Sequence, residues 1–303
     1  MKSMVAAKSN APGLLMESGW QARRARRKFF TRAFVHLILI AGSIIFMFPL
    51  IWLISTSLKP DTQIFKVPPE LIPKPFMWSN YTRMWTYFPF LTFLKNTLLV
   101  VVLSMAGVLI SAPLVAYAFA RLRWPGRDFL FMILLGTMML PGQVTMIPLY
   151  ILFNEWGWVN TFYPLWVPAW FGGGAFNIFL IRQFLMTIPR ELEESAVIDG
   201  ASHFKIYWKI MLPLINPVLT TIAIFQFMGA WNDFMGPLIY LNDQAKYTLS
   251  LGLRVFQQQT SAYQSEYGML MAATTIMVIP VIIFFFLGQK RFIEGVIITG
   301  MKA

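Results

Sequence analysis

Three observations predict an all-α polytopic membrane protein with six transmembrane helices. The 303-residue chain is 57% hydrophobic and only 13% charged, about half the charge share of a soluble globular domain. That is too little charge to cover a surface facing only water. The apolar residues fall into six continuous runs, each as long as the roughly 20 residues a helix needs to cross hydrocarbon. Continuity rather than alternation favours helices over barrel strands. Lys and Arg are segregated as well. With the N-terminus placed inside, 18 of the 25 fall in inside segments and 7 in outside ones, the bias that orients membrane proteins. The same composition excludes a disordered chain, and zero Cys excludes a disulfide scaffold or a cysteine-ligated metal.

The elements follow in order. Residues 1–33 form a basic cytoplasmic segment whose RRARRK run at 23–28 reads as a topology anchor near anionic headgroups, not as a nucleic-acid patch. The six-span domain covers 34–288, with spans expected at 34–57, 93–119, 129–152, 164–185, 214–240 and 267–288. The first run is too long and too deep in the chain for a cleaved signal peptide. Segment 58–92 lies outside, and its prolines, among them Pro60, Pro68, Pro69, Pro73 and Pro75, favour extended or turn structure. RLRWPGRD at 121–128 is a short inside turn. Trp156 and Trp158 belong at the outer headgroup level, and 241–266 is a polar outside loop. Pro49, Pro113 and Pro280 offer bending points, although proline is common in membrane helices generally. Gly172, Gly173 and Gly174 suit close helix contact, and Arg182 is placed to snorkel inward. Residues 289–303 form a cytoplasmic tail.

The largest inside loop, 186–213, reads IPRELEESAVIDGASHFKIYWKIMLP over its length from 188. Pro189 suits a first helical turn. Good helix formers follow to Asp199, with Glu191, Glu193 and Glu194 making an acidic face. Gly200 permits a chain reversal. Ser202 can cap a second helix carrying Phe204, Tyr207, Trp208 and Met211, which is expected to stop at Pro213. Such a hairpin, 189–213, could lie on the membrane surface. Its acids face a negative leaflet in that position, so a docking element for a cytoplasmic protein fits better.

Glu194, Ser195, Ala196, then Gly200, then Ile210, Leu212 and Pro213 resemble the signature of bacterial ABC-importer permeases. That signature is usually given as Glu-Ala-Ala, Gly four residues on, and Ile-x-Leu-Pro after nine more. The spacing is met in full, and Ser195 for the central Ala is the one departure. FPLIWLISTSLK, YAFARLRWPGR and IEGVIITGMK are similar to the carbohydrate branch, near the maltose-type inner permease, so the likeness runs from about residue 34 to the end. It implies a type I ABC importer permease fold in the bacterial cytoplasmic membrane with both termini inside. The hairpin would then be a coupling helix seated in a groove of an ATP-binding subunit, with Glu194 and Gly200 its most constrained positions. Gly295, Gly300 and Lys302 would contact the ATPase subunits. The implied partners are a second permease chain, two ATP-binding subunits and an extracytoplasmic solute-binding protein that delivers a sugar or oligosaccharide. ATP and Mg would sit on the partners, and this chain would hold no cofactor and catalyse no reaction.

A polar solute crossing lipid needs a hydrophilic path. Asp233 is the one acid placed well inside an expected span, and with Gln226, Trp231 and Asn232 it forms the candidate path. An interfacial place or a pairing with another subunit is the alternative. No P-loop, H-E-x-x-H or G-x-S-x-G occurs, and His36 and His203 stand alone, which sets aside ATP binding, a zinc site and a serine nucleophile. Two other readings stay open: a permease for another polar solute, such as glycerol phosphate or an oligopeptide, and a stand-alone secondary transporter or intramembrane enzyme. The lack of a duplicated half speaks against the last.

Overall fold

The computed structural model describes the backbone of residues 11–261 and 266–300, and the side chains of 28, 30–258 and 266–289. Every regular element among them is helical. The chain divides into two compact units, Met1–Ser55 and Thr56–Ala303. The first is built from α1, Ala11–Ser57. This helix passes through the expected 33/34 boundary without a break. Ala, Arg and Lys are strong helix formers, so the change from basic to apolar sequence changes the surrounding medium and not the backbone.

The second unit opens with α2 (Asp61–Ile64), α3 (Ser79–Tyr87) and α4 (Phe90–Arg121). It continues with α5 (Arg127–Thr137), α6 (Gly142–Glu155), α7 (Tyr163–Trp166), a 3₁₀ turn at Val167–Trp170 and α8 (Ala175–Thr187). The hairpin comprises α9 (Glu191–Ile198), α10 (His203–Ile206), a π turn at Tyr207–Met211 and α11 (Leu212–Leu214). The chain closes with α12 (Asn216–Asn232), α13 (Met235–Tyr240), α14 (Leu249–Ser261) and α15 (Tyr267–Gly300). Among the described residues four segments are single stretches long and apolar enough to cross a membrane, and the number rises to six if each of two bent pairs counts as one span.

The long helix α4 is the spine of this unit. Near its start, Phe90, Phe93 and Val101 pack with Met84, Phe227, Trp231, Leu253, Phe256 and Met269. Near its end, Val108, Ala112, Ala116 and Tyr117 pack with Ile178, Ile181, Leu185, Tyr207, Met211 and Ile222. Small residues at 112, 116 and 120 let neighbouring helices approach closely. The helix runs continuously through Pro113, as α1 and α15 do through Pro49 and Pro280.

Three expected spans are not single helices. In the run 129–152, α5 and α6 meet at 99°. Pro141 supplies no N–H and disfavours helix at the residue before it. The broken turn still satisfies its amides, with Met138, Met139 and Leu140 donating back three residues to Leu135, Gly136 and Thr137, as a lipid-exposed backbone requires.

In the run 164–185, Gly172, Gly173 and Gly174 all have positive φ, at 86°, 63° and 93°. They carry the chain from the 3₁₀ turn into α8 through left-handed backbone, so conformational freedom is their first role. Close contact is real at one of them, because a Cβ on Gly173 would lie 2.8 Å from Val108. In the run 214–240, α12 ends at Asn232 and α13 begins at Met235, with two residues between them.

The fourth-span break is held by Ser111 of α4. Its hydroxyl lies 2.7 Å from the Gly107 carbonyl and 3.2 Å from that of Ala169, and it accepts the Gly172 N–H at 3.1 Å. Ser111→Ala would leave groups on the break unpaired, and is expected to lower unfolding stability by about 1–3 kcal/mol. Thermal melting of the detergent-solubilised protein checks this, with Ser111→Thr as the variant that keeps the hydroxyl. An unchanged melt for Ser111→Ala would show that other contacts hold the break.

The stretch 241–266 is only partly a polar loop. Within it α14 is amphipathic: Leu249, Leu253 and Phe256 are buried on one face, at i, i+4 and i+7, and its run of glutamines follows at 257–259. Segment 58–92 is mostly irregular around its prolines, as expected, and adds α3 between Pro75 and Pro89.

Candidate functional site

The hairpin is built as its residues dictate. Arg190 is the N-cap of α9, so Pro189 stands one residue before it rather than in the first turn. The helix ends in a Schellman motif: Ala201 N–H donates to Ala196 O and Gly200 N–H to Val197 O, both at 2.9 Å. Gly200 sits at φ 77°, the left-handed conformation that this motif requires and that glycine adopts without Cβ strain. Ser202 then caps α10 by accepting the Lys205 N–H at 3.3 Å.

Pro213 does not stop the second helix. The π turn Tyr207–Met211 precedes it, and that wider turn relieves the clash a proline makes with the carbonyl four residues earlier. The chain bends instead at Ile215, by 73°, where α12 starts with Pro217 in its first turn.

One side of this hairpin is anchored. Ile206, Tyr207, Met211 and Ile215 are buried in the second core, and Ala196, Ala201, Ile210 and Leu212 pack partly against it. The other side is apolar and open. Ile198 is 85% exposed, Phe204 70% and Trp208 59%, and the last two rings stack at 6.4 Å. Glu191, Glu194, Ser195, Asp199, Gly200 and Pro213 are exposed beside them. The signature residues thus divide: Ala196, Ile210 and Leu212 face inward, and Glu194, Ser195, Gly200 and Pro213 face out. Ser195 Oγ donates to the Glu191 carbonyl at 2.7 Å, so the departure from Ala is absorbed within the helix.

Arg121 was not singled out by the sequence beyond its charge, yet it ties the hairpin to the spine. At the last residue of α4, its side chain is 3% exposed. One Nη donates to the carbonyls of Leu185 and Ile188, the latter at 2.7 Å, at the end of α8. Its Nε lies 3.3 Å from Glu193 Oε1 on α9. One guanidinium therefore joins the second span, the fourth span and the hairpin. Burial pushes the Glu193 carboxyl above its ordinary range, outweighing the opposite pull of Arg121 and Arg190. An arginine at the end of a long apolar run was the available signal, but partners 64, 67 and 72 positions away leave no spacing to read.

The candidate path residues sit elsewhere, around the end of α12. Asp233 Oδ1 accepts the Gly236 N–H at 3.1 Å, so the carboxylate secures the start of α13. Ser250 Oγ donates to the Asp233 carbonyl. Asn232 is exposed and bonds back to Met228 O at 2.8 Å, and Gln226 is half-buried. Trp231 is 1% exposed within the first core, its Nε1 donated to Met277 O. Arg182 turns into the protein rather than along the lipid, over the Phe131 ring at 4.0 Å and bonded to Phe119 O. Gly295 and Gly300 fall on α15, past the last described side chain, and Lys302 lies outside the described residues. Among the described residues no group of His, Asp or Glu could hold a metal.

Comparison with known proteins agrees with this architecture. A bacterial ABC transporter involved in the import of the acidic polysaccharide alginate superposes with a TM-score of 0.75 and 26% identity, over 89% of this chain and 98% of that one. The chain is 30% identical to the diacetylchitobiose uptake system permease protein NgcG of Streptomyces coelicolor, over 88% of each. It is 31% identical to the sn-glycerol-3-phosphate transport system permease protein UgpE of Yersinia enterocolitica, over 87% of this chain and 95% of that one. The fold is that of an ABC-importer permease. Residues 107–297 match the family described as binding-protein-dependent transport system inner membrane component. The chain belongs to that family, and is a multi-pass protein of the inner membrane.

Proposed function

We propose that this chain is a permease subunit of an ATP-binding-cassette importer that carries a sugar or oligosaccharide, delivered by an extracytoplasmic binding protein, by alternating access. The observation that carries the coupling role is the hairpin: anchored on one side, apolar and acidic on the other, and held by Arg121 to two spans. A partner ATPase that grips such an element in one nucleotide state and releases it in another biases the spans attached to it. In this reading the hairpin and both termini are cytoplasmic. ATP and Mg belong to two partner subunits, a second permease chain completes the path, and Gly295, Gly300 and Lys302 reach toward the ATPases. The sugar class is supported by the names of the diacetylchitobiose and alginate systems. A glycerol-phosphate-like solute is the second reading, favoured by the glycerol-3-phosphate relative.

Affinity purification of the chain from its native membrane, followed by uptake of labelled disaccharides and of glycerol phosphate in liposomes, tests both. Transport that needs no ATP and no companions would overturn the importer reading. Within the path, Asp233→Asn keeps the acceptor for Gly236 and removes the charge. It is expected to assemble as wild type and to slow uptake at least tenfold, on the scale of about 1.5–3 kcal/mol for one hydrogen bond to a charged group. Unchanged uptake kinetics would leave Asp233 only its role as acceptor for the Gly236 N–H.

A further inference from the structure

A cleft of about 420 Å³ lies between the α4–α5 turn and the base of the hairpin, lined by Arg123, Trp124, Arg127, Asp128, Phe129 and Arg190. It holds three guanidinium groups against one carboxylate. Arg127 is held in place, its Nε bonded to Asp128 at 2.8 Å and its Nη to Leu122 O at 3.2 Å. Arg123 and Arg190 are exposed and make no ion pair among the described residues. The cleft is therefore cationic and open, and the coupling mechanism uses none of its side chains.

Its surroundings identify the ligand class. Phe129, at the rim, is 63% exposed and begins the apolar open face of α5 that continues through Leu130, Met132 and Ile133. Trp124 stands at the same level, in contact with Phe119, as an interfacial aromatic does. A molecule with an anionic head and an apolar body matches this layout. Guanidinium groups bind phosphate oxygens in paired hydrogen bonds.

We propose that this cleft binds the phosphate of an anionic membrane phospholipid, whose acyl chains run along α5. Assigning it to the inner leaflet rests on the cytoplasmic placement of the hairpin. The consequence is regulatory. Arg190 is the residue from which α9 springs, its carbonyl accepting the Glu193 and Glu194 N–H groups at 2.9 and 3.0 Å. A phosphate shared between Arg123 and Arg190 braces the hairpin against the turn after the second span.

The test uses the full importer in nanodiscs of phosphatidylcholine with and without phosphatidylglycerol, with retained lipid counted by native mass spectrometry. Arg123→Gln with Arg190→Gln is expected to lose phosphatidylglycerol roughly thirtyfold, from about fivefold per basic residue near an anionic surface. The corresponding pair of Lys variants is expected to keep most of the binding. If the Gln pair does not insert, the two single Gln variants carry the test, each with about a fivefold loss. Equal retention by the Gln variants and wild type overturns the site. Displacement of the lipid by inorganic phosphate would show a site for the free anion and overturn the lipid assignment. ATPase subunits recovered from the same samples report separately on the coupling reading, since a chain that binds lipid but never recovers an ATPase refutes that reading alone.

Discussion

Gly200→Trp is expected to leave the protein inserted in the membrane while abolishing recovery of the ATPase subunits and cutting ATP-driven uptake roughly a hundredfold, as loss of a central interface position worth about 2–4 kcal/mol would. Two effects converge. Gly200 holds φ 77°, and a side chain there costs about 1–2 kcal/mol of left-handed strain. The position is also open: a Cβ would meet nothing within 4 Å inside this chain. Bulk is therefore harmless to the isolated permease and harmful only where a partner covers the turn. Gly200→Asn separates the effects, because Asn tolerates the left-handed region. If Asn restores function, turn geometry is what the partner reads. If Asn fails as Trp does, the partner packs directly on the missing side chain. Full recovery and normal uptake for Gly200→Trp would remove the hairpin from the coupling path.

Arg121→Ala is expected to uncouple the importer by a different route. It strips the donors from the Leu185 and Ile188 carbonyls and leaves the Glu193 carboxyl without its partner. Breaking a buried pair on one side typically costs about 3–5 kcal/mol. The hairpin should then become sensitive to protease added to inside-out vesicles, and ATP hydrolysis should continue with less solute moved per cycle. Arg121→Lys should recover little, since one ammonium cannot reach two carbonyls and a carboxylate with the geometry of a planar fork. Glu193→Gln should be milder, for it removes a carboxyl that burial already disfavours when charged. A double-mutant cycle between Arg121→Ala and Glu193→Gln measures the pair itself. Additive effects would mean that the carbonyl bonds, and not the ion pair, hold the hairpin.

The helical class and the extents of α4 and the apolar part of α15 follow from runs of apolar residues that no polar face interrupts. The hairpin was legible because its signals are local: Gly200 for a left-handed turn and Ser202 for a cap each act within a few positions. Pro213 misled for the complementary reason. Its effect depends on the π turn before it, which no propensity announces. Leu249, Leu253 and Phe256 carry a readable helical period, but the glutamines that follow them at 257–259 make the stretch look like a loop.

By itself, then, the sequence determined which segments are helical and apolar and where the chain can turn, because those depend on neighbours along the backbone. Only the tertiary structure decided that three spans are broken, that Ser111 satisfies one break from another helix, that Asp233 accepts the Gly236 N–H at the start of α13 and that Trp231 is core. It alone brought Arg121 to Glu193 and Arg123 to Arg190. Contacts between distant positions are chosen by packing and by the need of every buried polar group for a partner, and neither leaves a period or a spacing in the chain.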